Sequence, residues 1–366
     1  MPIMTKIINS KKIPWFSPEM TGDEISILQK VINSNFVNDG PLTREFEKAI
    51  SEIINVKYCI AVTSCTAAIS LTLYSFDIGF GDEVIVPNLT FIATANAVRM
   101  TGASVKLADI ESSRLTLDIK SLKKLVTKKT KAIISVDVNG RGADYVKLEN
   151  FCKLNNLKLI TDSAEAFGSF YKGKALGSYG NAGCFSFSPA KTITTGQGGM
   201  IATNDYETYQ NIIQLKDQGR PFRGTGGDDD HPFLGFNFKF TDLQAAVGLA
   251  QLEKLQERLN KSIERDNWYL SLLEKYDEIN FPDMHEPGER RQWTDIKIKN
   301  RSTVKKNLEK NQIGCRAFWK PINSQPPYFY KNENLKISEN ISEVGLWLPS
   351  NFSLSYSDAE ITSNII

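Results

Sequence analysis

Between residues 23 and 250 the chain alternates short apolar runs with helix-length amphipathic segments, and few folds can satisfy that alternation. Runs rich in β-branched or aliphatic residues occur at Tyr58–Val62, Glu83–Val86, Val105–Ala108, Lys131–Val136 and Leu157–Thr161. Cys184–Phe187 and Gly199–Thr203 are further strand candidates. Runs that are apolar at successive positions need cover on both faces, which suits central strands of a largely parallel sheet. Helix patterns at Asp23–Asn33, Leu42–Ile54, Ala67–Phe76 and Ile92–Met100 supply that cover. Pro87 stops one of the strands, and Gly102 stops one of the helices. The expected fold class is therefore α/β, a mixed but mostly parallel sheet flanked by helices. Thr241–Leu259 reads as one strong helix with Leu243, Ala246, Val247, Ala250 and Leu252 along its apolar face. A second helix is expected over Ile263–Tyr276, after which apolar density falls, with a polar stretch at Asp283–Arg291. A large α/β domain over 12–250 and a smaller α+β domain over 251–366 follow from this pattern.

The formal net charge of +2 lacks the basic excess of a nucleic-acid binder, so no such partner is expected. The five cysteines are scattered without a CxxC pair, which points away from zinc knuckles and disulfide frameworks and toward a reducing cytoplasm. Met1–Lys6 lacks the apolar core of a signal peptide, and no run approaches the length of a membrane span. With only His231 and His285 available, a hydrolase triad or zinc site is poorly supplied. Gly226–Asp230 reads as a solvated acidic loop, because consecutive aspartates cannot all face one ion. No metal is expected.

Three separate segments could carry chemistry. Asp162 and Glu165 follow the end of an apolar strand, and ligands of open α/β sheets bind outside the carboxyl ends of strands. Such an aspartate can equally be a helix cap. Lys191 lies between an aromatic run, with Ser186 in it, and the small residues Thr194–Gly199. That setting would hold its amine inside a packed cleft, where it can attack an aldehyde, whereas most lysines are solvated surface groups. Ser64, Cys65 and Thr66 sit at a strand-to-helix junction, where free N–H groups and hydroxyls can grip a phosphate or merely cap the helix. Gly196–Gly199 has neither P-loop spacing nor a dinucleotide fingerprint.

These segments, with Asn38–Gly40, Gly81–Pro87, Thr90–Thr94, Gly235–Ala246, Arg316–Pro321 and Leu348–Ser350, resemble the DegT/DnrJ/EryC1/StrS family of sugar aminotransferases over nearly the whole chain. The resemblance implies the aspartate-aminotransferase-like fold type I and pyridoxal 5′-phosphate as cofactor, carried on Lys191 as a Schiff base. It is strongest toward enzymes that aminate C4 of an NDP-4-keto-6-deoxyhexose, with L-glutamate as donor and ping-pong kinetics. Such a product is a 4-amino-4,6-dideoxy sugar, destined for O-antigen or another glycoconjugate.

By position, the resemblance gives Asp162 to the pyridine nitrogen, Glu165 to the neighbourhood of the phenolic oxygen, and Phe91 to the ring face. Ser64, Cys65, Thr66 and Ser186 fall at the phosphate, which Asn237 reaches from the neighbouring subunit of a homodimer. Arg220, Arg223 and Arg316 become candidates for the nucleotide diphosphate or donor carboxylate, since guanidinium forks match such oxyanions. Trp319, Lys320 and Asn323 are further substrate candidates. The chain departs from the family at Asp137–Gly140, where many relatives read His-Leu-Tyr-Gly. It departs again at Cys65, in place of a phosphate-loop glycine, and at Asn323, in place of a histidine. A pyridoxal-phosphate transaminase of a non-nucleotide ketone, or a cofactor-binding regulator without turnover, stays open at this level.

Overall fold

A computed structural model describes residues 12–223, 230–329 and 333–366. Met1–Lys6 and, apart from Asp230, the Gly226–Asp230 stretch lie outside the described residues. The first strands are β1 (Tyr58–Val62), β2 (Glu83–Pro87), β3 (Ser104–Ala108), β4 (Thr130–Val136) and β5 (Lys158–Asp162). After a small hairpin, β6 (Phe170–Tyr171) and β7 (Lys174–Ala175), come β8 (Ala182–Ser186) and β9 (Gly199–Thr203). Seven of these form one sheet in the order β1-β9-β8-β5-β4-β2-β3. Strand β9 runs antiparallel to both its neighbours, and the other pairings in the sheet are parallel. The expected mixed, mostly parallel sheet is the one the chain forms.

Side chains on a strand alternate between faces, and here both faces are apolar. Val84, Val86, Ile134 and Ile160 pack toward the Cys65–Ser75 and Ala93–Met100 helices. Ile85, Ile133 and Leu159 pack the other way, against Tyr145 and Leu148 of the Tyr145–Leu154 helix. Each such side chain contributes roughly 1.5–3 kcal/mol by leaving water.

The Thr241–Leu259 pattern departs from expectation. It splits at Lys254 (φ −96°, ψ 1°) into the helices Asp242–Glu253 and Leu255–Leu273, the second absorbing most of the segment expected as a separate helix. The break lets the buried Arg258 donate to the carbonyls of Thr192 at 3.2 Å and Glu19 at 2.8 Å. Satisfying a buried guanidinium sets the helix direction here, and apolar periodicity does not register that demand.

The C-terminal strands β10 (Ile279–Asn280), β11 (Asp295–Ile298), β12 (Arg316–Ala317) and β13 (Gly345–Trp347) form an antiparallel sheet in the order β10-β11-β13-β12. Its own core joins Ile296, Leu346, Leu348, Tyr269 and Leu273, and Ile13 enters it from the other end of the chain. The polar stretch expected at Asp283–Arg291 lies on the seam between the two sheets. There Arg141 donates both terminal nitrogens to Asp295 at 3.1 and 2.7 Å, and Arg114 pairs with Glu289. Asp109 accepts the N–H groups of Ile337 and Ser338 at 2.9 and 2.8 Å, so a residue after β3 caps the Lys336–Val344 helix. Among the described residues, no helix is long and apolar enough to cross a membrane.

Candidate active site

Because β1, β2, β4, β5 and β8 run the same way, their carboxyl ends converge on one edge of the sheet. A cavity of about 230 Å³ opens there. Ser64, Cys65 and Thr66 follow β1, Thr90 and Phe91 follow β2, Asp162 and Ser186 end β5 and β8, and all line the cavity. Glu165, Lys191, Arg316 and Trp319 complete the expected residues found on its wall. The other candidates stand apart from it. Asn237 forms an isolated bridge with Asp217, and Arg220 lies 3.9 Å from the same aspartate. Arg223 pairs with Glu47 at 2.8 Å. Lys320 is exposed, and Asn323 is buried with its amide turned to Asn88 and Glu339.

At the β1 junction Ser64 caps the Cys65–Ser75 helix by accepting the Ala67 N–H at 3.1 Å. The first N–H groups of a helix have no carbonyl partner within it, so those of Cys65 and Thr66 form a seat for an anion. Gly199 makes room for this turn. A Cβ at that position would meet the Ser64 carbonyl carbon at 2.3 Å.

Asp162 sits deeper. It accepts the Thr94 hydroxyl at 2.7 Å, the Ala164 N–H at 3.2 Å and the Cys65 thiol at 3.8 Å. Burial pushes its carboxyl up despite these bonds and the nearby Lys191, so a further cation beside it would be strongly favoured. Burial also raises the Cys65 thiol well above its usual range, which keeps it a donor. Glu165 accepts the Asn139 N–H at 3.1 Å and lies 3.5 Å from Lys191 Nζ. Burial raises its carboxyl too, with Lys191 opposing.

Of the departures from the family pattern, Cys65 lines the cavity, and Asp137, Asn139 and Asn323 do not. Asp137 is fully buried and accepts the Tyr145 hydroxyl and, at 2.5 Å, the Ser163 hydroxyl. Burial pushes its carboxyl up to about 7, against the pull of those two bonds. Asn139 pairs with the backbone of Trp293.

Sequence reasoning missed Thr94, which steadies Asp162, and Trp293, whose ring lies 4.8 Å beneath Lys191 Nζ. Thr94 stands four residues after Thr90 on the quoted Thr90–Thr94 motif, and that spacing could have flagged it. No local signal marks Trp293, which arrives from the far side of the seam.

An amine, two buried carboxyls and an anion seat at the carboxyl edge of such a sheet suit an aldehyde cofactor with a cationic ring and a phosphate. The model of the DegT/DnrJ/EryC1/StrS aminotransferase family matches residues 18–365, and the chain belongs to that family. It is a pyridoxal-phosphate-dependent aminotransferase.

Among individual proteins, the chain is 35% identical to the GDP-perosamine synthase of Caulobacter vibrioides over 95% of this chain and 96% of that one. Helicobacter pylori PseC, an aminotransferase involved in pseudoaminic acid biosynthesis, superposes with a TM-score of 0.91 at 26% identity, covering 97% of this chain and 98% of that one. The pyridoxal-phosphate form of the sugar aminotransferase Spr1654 from Streptococcus pneumoniae gives 0.89 at 25% identity, covering 97% and 100%.

Proposed function

We propose that this chain transfers the amino group of L-glutamate to C4 of a nucleotide-linked 4-keto-6-deoxyhexose, as a GDP-perosamine synthase does. The observation that carries the reading is the meeting of Lys191, Glu165 and Asp162 in one cavity beside the Ser64–Thr66 anion seat. The near-full-length likeness to GDP-perosamine synthase supports the sugar.

Pyridoxal phosphate supplies the electron sink that lets an amino group change carbon. The chain supplies position and charge. Lys191 would hold the cofactor by its aldehyde carbon, and its amine is placed to act as the acid–base group that moves a proton. Asp162 would pair with the pyridine nitrogen and keep its proton in place by charge pairing. Glu165 would lie near the phenolic oxygen, and Phe91, whose ring is exposed at the cavity, would cover one face of the cofactor. The N–H groups of Cys65 and Thr66, with the hydroxyls of Ser64 and Ser186, receive the phosphate.

Of the three candidate arginines, Arg316 alone lines the cavity. Its guanidinium rests 5.3 Å from the Trp15 ring and 5.7 Å from the Trp347 ring, ready for a donor carboxylate or a diphosphate. Asn237, bridged to Asp217 away from this cavity, would reach the phosphate in the site of a second copy, in a homodimer with composite active sites. The large and small domains divide near residue 250, and the enzyme works in the cytoplasm.

The test is turnover of purified protein with L-glutamate and a panel of 4-keto-6-deoxy sugars that differ in nucleotide. Amination of the GDP-linked sugar at C4, read by mass and NMR of the product, is expected. Turnover of a nucleotide-free ketone alone, or glutamate binding without conversion of the cofactor, would overturn the reading.

A further inference from the structure

We propose that Asn139 is a positioning residue for the Lys191 amine, acting through Trp293. The inference rests on the reading of Lys191 as the cofactor-bearing lysine. Lys191 Nζ lies 4.8 Å from the centre of the Trp293 ring and 3.5 Å from Glu165 Oε1. Both of those neighbours are held by Asn139. Its Nδ2 donates to the Trp293 carbonyl at 2.6 Å, and its Oδ1 accepts the Trp293 N–H at 2.8 Å. Its own backbone N–H donates to Glu165 Oε2 at 3.1 Å. Trp293 closes the circuit, because its indole N–H donates to the carbonyl of Ala190, the residue before the lysine, at 3.1 Å.

The side-chain amide of Asn139 thus behaves as one more peptide unit paired with residue 293. That pairing needs a donor and an acceptor together on a short arm, which asparagine has and aspartate does not. The backbone demands the same residue type. Asn139 sits at φ 52°, ψ 42°, a left-handed conformation that asparagine tolerates better than most residues. Gly140 follows at φ +80°, and a Cβ there would meet the Arg290 carbonyl oxygen at 1.8 Å. Together they lay the end of the β4 turn against residues 290–293. Asn139 is itself wholly buried and does not line the cavity. Its effect reaches the amine through the ring and the carboxylate, both of which attract a cation.

The experiment mixes cofactor-free protein with pyridoxal phosphate and follows the growth of the visible absorbance band and its circular dichroism. Asn139→Gly retains the left-handed backbone and the N–H toward Glu165 but loses both bonds to Trp293. It should form the band on the order of tenfold more slowly, less than the roughly hundredfold that a misplacement of about 1 Å can cost. Its dichroism per unit absorbance should fall as well. Trp293→Leu should show the same loss, and the double variant should be no slower than Trp293→Leu alone. Asn139→Asp, which sets a second acceptor against the Trp293 carbonyl in a buried site, should be at least as slow as Asn139→Gly. Parent-like rate and dichroism in Asn139→Gly, or additive losses in the double variant, would overturn the inference. If Asn139→Gly fails to fold, the same cycle run with Asn139→Ala, which also loses both side-chain bonds and keeps the N–H toward Glu165, decides it. A parent that forms no band overturns the proposed function, whereas a normal parent with unaffected variants overturns only the role of Asn139.

Discussion

The cavity edge and the seam between the sheets are both lined with buried charge, yet one is closed on itself and the other is not. At the seam, Asp295 receives three N–H donations from Arg141 and Arg291. Glu289 takes Arg114 together with the backbone N–H groups of Gly142 and His285. At the cavity, the direct donors to Asp162 are a hydroxyl, a thiol and one N–H, none of them cationic. Glu165 shares its lysine with the cavity, and burial raises both carboxyls. At the seam buried charge is matched by the chain's own donors, whereas Asp162, open to the cavity, is a buried carboxyl still wanting a cation.

The largest expected effect comes from Lys191→Ala. The variant should lose the cofactor's visible band and all turnover while unfolding at the temperature of the cofactor-free parent, as absorbance and thermal melts would show. Retained turnover would remove Lys191 from the chemistry.

Arg141→Ala probes the opposite side of the comparison. Removing one partner of a buried ion pair costs about 3–5 kcal/mol, and urea unfolding should show that loss. The protein still folded should bind the cofactor. A variant as stable as the parent would make the seam dispensable, and the contrast with the cavity would fail.

The smallest effect is a slope. Asp137 carries a carboxyl raised to about 7 from an ordinary 3.8. Across that interval the folded chain keeps a proton that the unfolded chain has released, so stability falls as pH rises. Asp137→Asn should flatten the decline in melting temperature of cofactor-free protein between about pH 4 and pH 7. An unchanged slope would assign the decline to other groups.

The main sheet was legible because its strands are apolar on both faces and end in recognisable turns. Tyr58–Val62 and Gly199–Thr203 begin and end where the pattern placed them. The family motifs at Asp162, Ser186 and Lys191 were legible for the same local reason, since each lies at or just past a strand end. Trp293 and Asn139 were not. Their pairing spans two distant segments and depends on a left-handed backbone, which a linear pattern does not encode. The break at Lys254 was hidden because apolar spacing continues through it while a buried arginine sets the angle. In the polar run at 283–291, Glu289 proved to be buried, because its carboxylate meets Arg114, 175 residues away in sequence, a partner that composition does not reveal.

Strand β9 has one further effect on how the lysine behaves. Since it returns antiparallel beside β8, with Ser186 opposite Gly199, the 187–198 loop is fastened at both feet to the same sheet edge. Phe187 and Gly198 tie the base with a hydrogen bond of 2.9 Å. A lysine on a long crossover would inherit the rocking of a helix. Here the main chain under Lys191 is anchored like a footing, and the reach of the amine is set by its own four-carbon stem.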